Sequence, residues 1–283
     1  MKLIECPRDA MQGLHDFIPT DLKAAYINLL LQVGFDTIDF GSFVSPKAIP
    51  QLRDTREVLA KLDLSNTNTK LLAIVANLRG VEEAVKHKEV KYLGFPFSIS
   101  ETFQQRNTNS SIAQSLTTVE EMLNLCDQKQ KTAVVYLSMG FGNPYGDEWN
   151  IDIVEKWADE LVNRGVKILS LADTTGVSTP EKIKSILPAL IAKFKQTEIG
   201  IHLHSTPFTR LEKIEAAYDA GCKRFDSALK GFGGCPMAAD DLTGNMATED
   251  LISFLQAKGE DLNLNMEKWN EAMALSSKVF SGN

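Results

Sequence analysis

Short runs of β-branched and apolar residues alternate with longer amphipathic stretches from one end of this chain to the other. No other feature constrains the fold as strongly. The strand-like runs lie at residues 2–6, 37–40, 70–75, 90–94, 132–138, 168–172, 199–202 and 224–228. Their length and β-branched content read as buried strands. Between them, residues 20–33, 112–130, 151–164, 179–195 and 207–220 carry apolar positions at helical spacing. Gly34, Gly165 and Gly221 each stand just past such a stretch, where a left-handed residue ends a helix. Ser178-Thr179-Pro180-Glu181 combines a capping residue with proline at the first helical position. Strands that each lead into a helix build a parallel sheet. Eight such units predict an α/β fold, a (β/α)₈ TIM barrel. An open doubly wound sheet is the competitor, but no Gly-x-Gly-x-x-Gly follows the first strand-like run. No Pro/Gly/Ser-rich linker divides the chain. The expectation is one barrel domain over residues 1–283, with an extra C-terminal helix over about 266–280 packed outside it.

Composition narrows the class of function. A chain of 283 residues with 43% hydrophobic and 24% charged residues supplies a globular core. Its net charge of −7, without a basic patch, argues against nucleic acid as a partner. No apolar stretch reaches the roughly 18 residues of a membrane span. The first residues read as a strand rather than a leader. Cys6, Cys126, Cys222 and Cys235 form no close pair, which suits reduced thiols in a cytoplasm.

A barrel concentrates its chemistry at the C-terminal ends of the strands and in the loops that follow. The polar candidates obey that rule. Arg8 and Asp9 follow the first strand, and Asp39 ends the second. Ser100 and Glu101 follow the fourth, and Tyr136 lies in the fifth. Asp173 ends the sixth, His202 and His204 the seventh, and Cys235 and Asn245 follow the eighth. His202 and His204 are two apart on a strand, so they share a face. With Asp9 as a hard anionic ligand and Asn245 as a neutral amide oxygen, they could hold one divalent cation. The bland alternative is a pair of hydrogen-bonded core histidines. Arg8 could be a structural ion partner of Asp9, or a fork for a carboxylate or enolate oxygen. Cys235 sits in Gly233-Gly234-Cys235-Pro236, the setting of a tight loop rather than a core. A thiol there can exchange a proton near neutral pH. Asp39 and Asp173 either cap turns or act in the site.

With these residues in place, the chain resembles the 3-hydroxy-3-methylglutaryl-CoA lyase family from about residue 2 to residue 258. The resemblance is carried by Pro7-Arg8-Asp9, Ser42-Phe43-Val44-Ser45-Pro46-Lys47, Asn77-Leu78-Arg79-Gly80 and Ser100-Glu101-Thr102-Phe103 with Asn107 and Asn109. It continues through Asp173-Thr174-Thr175-Gly176, His202-Leu203-His204, the Gly-Gly-Cys-Pro run and Gly244-Asn245-Met246-Ala247-Thr248-Glu249-Asp250. It implies a metal-dependent retro-Claisen cleavage of an acyl-CoA, with Mg²⁺ or Mn²⁺ as the cofactor. Asp9, His202, His204 and Asn245 would be the metal ligands. Arg8 would stabilise an enolate, Cys235 would transfer a proton to it, and Asp173 would take the hydroxyl proton. Asp39 joins the catalytic set, and Gln12, Ser100 and Tyr136 are the substrate-binding candidates. The products would be acetyl-CoA and acetoacetate. A related aldolase or condensing synthase, or a silent metabolite-binding barrel, is the alternative, and a homodimer is left open. The departures from the family fall in the site: Asp39 replaces glutamate, Ala10 replaces glycine, Ser205 replaces aspartate, and Gly13-Leu14-His15 alters the first loop.

Overall fold

The computed structural model describes residues 1–234 and 243–281. Eight parallel strands close on themselves in sequence order. They are β1 (Lys2–Glu5), β2 (Thr37–Ser42), β3 (Lys70–Ile74), β4 (Val90–Ser98), β5 (Thr132–Ser138), β6 (Ile168–Asp173), β7 (Glu198–Leu203) and β8 (Arg224–Ser227). Closure is made where β1 pairs with β8, from Lys2 opposite Arg224 to Glu5 opposite Ser227. The strands are buried on both faces, as a sheet wrapped in helices must be. All eight strand-like runs of the sequence are strands of the barrel. β4 continues four residues beyond its expected end because Phe95 and Phe97 are buried in turn and pair along β5.

Eleven α-helices are found among the described residues. Six of them were expected from helical spacing: α2 (Thr20–Val33), α6 (Ile112–Gln128), α7 (Ile151–Asn163), α8 (Pro180–Lys193), α9 (Arg210–Asp219) and α11 (Met266–Val279). Thr179 caps α8 through its side chain, with Pro180 at the first position. Ser111 and Gln114 form a reciprocal capping box at the start of α6. The remaining helices are α1 (Pro7–Gln12), α3 (Thr55–Leu59), α4 (Leu78–Ala84), α5 (Glu101–Thr108) and α10 (Thr248–Ala257). The first four are too short for a helical period to register, and α1 and α5 carry site residues. α11 packs on α2 outside the barrel, with Trp269 against Phe35 and Phe280 against Tyr26. No helix among the described residues is long and apolar enough to cross a membrane.

The barrel interior is apolar on one side, where Leu72, Ile74, Tyr92, Val134, Tyr136 and Ile168 meet. Glycine makes two of its contacts fit. A Cβ on Gly94 would lie 3.0 Å from the Tyr136 ring and 2.5 Å from Ile74. A Cβ on Gly200 would lie 2.7 Å from the Arg224 side chain. The second of these places a buried arginine inside the barrel, below the histidines.

Candidate active site

α1 starts one residue after β1 ends. Pro7 occupies its first turn, where the missing N–H costs nothing. This single turn carries Arg8, Asp9 and Gln12 over the barrel mouth. Arg8 donates from Nε and Nη2 to Asp39 Oδ2, at 3.0 and 2.5 Å. Its Nη1 donates to Asp9 Oδ1 at 2.9 Å and to Gln12 Oε1 at 2.8 Å. Gln12 Nε2 donates to Asp9 Oδ1 at 2.6 Å. Asn245 Nδ2 donates to Asp9 Oδ2 at 2.7 Å and to the Phe232 carbonyl at 2.8 Å. Thus α1 and the segment after β8 converge on the Asp9 carboxylate, and β2 reaches it only through Arg8.

Burial works to raise the Asp9 carboxyl. Arg8, then His202 and His204, overcome it and hold Asp9 at about 2. Burial wins at Asp39 and pushes it to about 6 in spite of Arg8. Asp39 uses only Oδ2 on Arg8, and its Oδ1 is buried without a partner.

The two histidines stand with ring centroids 5.3 Å apart. A nitrogen of each and a carboxylate oxygen of Asp9 all lie within 4.8 Å of one another. His204 lies just beyond β7 and forms an antiparallel bridge with Asn245. Burial, then the neighbouring His202, lowers the His204 imidazole to about 4, so it is neutral and available as a ligand. At His202 burial lowers the imidazole, but the hydrogen bond it gives to Asp226 and the charge of Asp9 raise it overall.

The donor set fits a divalent cation. Asn245 spends its amide nitrogen on Asp9 and leaves Oδ1 buried with no partner. Nδ1 of His204 is likewise buried and unpartnered. One carboxylate, two imidazoles and an amide oxygen suit Mg²⁺ or Mn²⁺ and leave coordination positions open.

Asp9, His202 and His204 line a cavity of about 370 Å³; Asn245, bonded to Asp9, is not part of its wall. Arg8, Asp9, Gln12, Tyr136, His202 and His204 line its inner part, and Asn77, Asn107, Thr108 and Asn109 its outer part. The Tyr136 hydroxyl is buried and unpartnered, and its ring meets His202 edge-on at 5.7 Å.

Not every expected residue reaches the cavity. Ser100 caps α5 by accepting from the Phe103 N–H at 3.1 Å, and donates to Asp147 at 2.5 Å. Both bonds tie the loop together, and Ser100 is absent from the cavity wall. Asp173 is also directed away. It accepts from the Ser178 N–H and hydroxyl and from Lys213, with its side chain fully buried. Its neighbours Ala172 and Thr174 face the cavity instead. Asp39 stands behind Arg8. Cys235 lies outside the described residues.

Two charged residues on this side of the barrel were missed in the sequence. Asp226 lies beneath His202, with Oδ2 3.3 Å from Nδ1. The signal available for it was a pair of charges, Arg224 and Asp226, at alternate positions of a strand. Lys213 is buried and donates to Asp173, to the Gly176 carbonyl and to the His204 carbonyl. It lies on an amphipathic helix, where a lysine reads as solvated surface.

The sequence and fold match known proteins along almost the whole chain. The HMGL-like family model matches residues 3–275. Hydroxymethylglutaryl-CoA lyase YngG of Bacillus subtilis is 36% identical over 262 residues, spanning 93% of this chain and 87% of that protein. A crystal structure of the B. subtilis HMG-CoA lyase superposes with a TM-score of 0.91 at 33% identity, covering 98% of this chain and 92% of the other. An HMG-CoA lyase from A. baumannii, in complex with coenzyme A and 3-methylmalate, gives a TM-score of 0.91 at 30% identity, covering 99% and 91%. The protein is an enzyme of the carbon–carbon lyase class. The chain belongs to the HMGL-like family.

Proposed function

We propose that this protein cleaves 3-hydroxy-3-methylglutaryl-CoA to acetyl-CoA and acetoacetate, with Mg²⁺ or Mn²⁺ bound. The observation that carries the reading is the meeting of Asp9, His202 and His204 beside Arg8 in one cavity wall, with Asn245 bonded to Asp9. Relatives that carry this name, at 30–36% identity, and the coenzyme A complex of one of them support the acyl-CoA substrate.

Asp9, His202, His204 and Asn245 would hold the cation. When bound, it would acidify the substrate's tertiary hydroxyl and polarise its oxygen. As that hydroxyl passes its proton to solvent water in the cavity, the bond from its carbon to the thioester α-carbon breaks. The hydroxyl carbon becomes the ketone of acetoacetate, and the bonding pair leaves as the enolate of acetyl-CoA. Arg8, aimed by Asp39 and Asp9, is the fixed positive charge for the enolate oxygen. Cys235 is the group we assign to return a proton to the enolate carbon, and the same solvent re-protonates the thiolate left after Cys235 has given up its proton. Gln12 and Tyr136 bind the acyl portion, the latter through its free hydroxyl. In this reading Asp173 and Ser100 anchor the rim, since their polar atoms are engaged elsewhere. The buried, unpaired thiols of Cys6, Cys126 and Cys222 are in keeping with a cytoplasmic location.

The direct test is to incubate purified protein with Mg²⁺ and hydroxymethylglutaryl-CoA and to follow acetoacetate. Production that is abolished by a chelator and restored by added cation is expected. No acetoacetate above the protein-free rate, with the fold intact, overturns the substrate assignment.

A further inference from the structure

Asp226 lies on β8 directly across from His202 on β7, in register with it. Its side chain is fully buried, and its Oδ2 stands 3.3 Å from His202 Nδ1. On the opposite side of the ring, His202 Nε2 faces Asp9 Oδ2 at 3.9 Å. The imidazole is thus held between a carboxylate inside the barrel and the donor set at its mouth. An isolated carboxylate at such depth is costly unless it is paired. Arg224, two residues earlier and so on the same inward face, supplies positive charge below it. Gly200 leaves the space that this arginine needs. The ring edge of Tyr136 closes the remaining side of His202.

We propose that Asp226 is a positioning residue: it accepts the Nδ1 proton of His202, fixes the ring, and so turns the Nε2 lone pair toward the cation. It touches neither substrate nor cation. The proposal rests on the metal site argued above. A ligating histidine whose other nitrogen is held by a carboxylate has its tautomer and ring angle set before the ion arrives, and such partners typically contribute ~10–100-fold in metal affinity. His204 has no carboxylate behind it: its ring bonds the Thr174 backbone and its Nδ1 is unpartnered. His202 would therefore be the carboxylate-supported ligand of the pair.

The experiment compares the wild-type protein with Asp226→Asn, using Mn²⁺ binding followed by calorimetry and by loss of the free-ion electron paramagnetic resonance signal. Asp226→Asn should bind Mn²⁺ ~10–100-fold more weakly. The Mn²⁺ concentration for half-maximal activity should rise by the same factor, while kcat at saturating Mn²⁺ stays near wild type. An unchanged Mn²⁺ affinity in a folded variant overturns the proposal, as does a loss of kcat with no change in the Mn²⁺ requirement. A second measurement needs no folded variant. In ¹⁵N-histidine spectra of the metal-free wild-type protein, neutral His202 should carry its proton on Nδ1. A proton on Nε2 overturns the proposal. If the wild-type protein binds no Mn²⁺, the metal reading fails by itself, and the tautomer alone decides whether Asp226 orients the ring.

Discussion

Asp9 is the residue on which the site turns. It receives hydrogen bonds from Arg8, Gln12 and Asn245 and faces His202, so any change in these groups is felt at one carboxylate. Replacing His204 with alanine removes one of two imidazoles whose places nothing nearby can fill. The variant should lose bound Mn²⁺ and activity together, and stoichiometric tight binding that survives would refute the ligand set. Asp39 is shorter by one methylene than the glutamate typical of the family, yet it contacts Arg8 at 2.5 Å. The guanidinium is thereby held against β2. A displacement of ~1 Å in a positioning group can cost ~10²-fold in rate. Wild-type cleavage of hydroxymethylglutaryl-CoA should accordingly be weak, and Asp39→Glu should raise kcat/KM. If that variant is inactive while another 3-hydroxyacyl-CoA is cleaved far faster, the site was reshaped for a different substrate. Cys235→Ala should keep fold and metal and lose ~10²–10⁴-fold in turnover, the usual contribution of an acid–base group. A near-native rate would make the thiol structural.

At the scale of elements, the decisive contact is between α1 and the segment after β8. Gly233 has φ +94, a conformation that side chains rarely adopt. A Cβ there would lie 2.6 Å from the Asp9 carbonyl, 2.7 Å from Ala10 Cα and 2.8 Å from Asn245 Nδ2. The first two are backbone atoms that cannot swing aside, so the Asn245 amide is the group that must give way. Gly233→Ala should therefore separate Asn245 from Asp9, weakening Mn²⁺ binding by at least tenfold and destabilising the fold by ~1 kcal/mol or more. Calorimetric binding together with urea unfolding measures both, and a variant with native Mn²⁺ affinity would show that the close approach is dispensable. α5 makes a complementary contribution. Its Ser100 cap places Arg106, Asn107 and Thr108 along the outer cavity, although Ser100 itself never faces it.

For the whole molecule, closure of the barrel runs through one buried acid. Glu5, at the end of β1, accepts from the Leu229 N–H at 2.8 Å and from the Thr248 hydroxyl at 2.6 Å, joining the first strand to the segment after β8 and the start of α10. Burial, against those two hydrogen bonds, raises its carboxyl from an ordinary 4.5 to about 8. The folded state therefore holds a proton that the unfolded chain releases. The resulting stability is fully present below pH 4.5, declines as pH rises, and has gone once pH has passed about 8. Melting temperatures measured from pH 5 to pH 8.5 should fall less steeply in Glu5→Gln than in the wild-type protein, and parallel curves would contradict this account. The cation acts on the same equilibrium from the same end of the barrel. At a free concentration ~100 times its dissociation constant it should add ~2.7 kcal/mol of stability, visible as a higher melting temperature that a chelator reverses.

The order of strands and helices was legible in the sequence because burial on two faces demands continuous apolar runs, and helices on a barrel demand an amphipathic period. The rim residues were legible for a related reason. Arg8, Asp9, His202, His204 and Asn245 all end or follow strand-like runs, and a parallel barrel sends every such position to one end. Direction and identity beyond that were settled in three dimensions. Ser100 and Asp173 sit at rim positions in the chain, but cap formation and a buried lysine turn their polar atoms elsewhere. Asp226 and Lys213 carry no local signature, since each matters only through a partner on another element: His202 on the neighbouring strand, or Asp173 and a carbonyl beyond β7. A strand's period tells which residues face inward. Which inward residues meet depends on the register between strands and on the space left by Gly94 and Gly200, and only the closed barrel sets these.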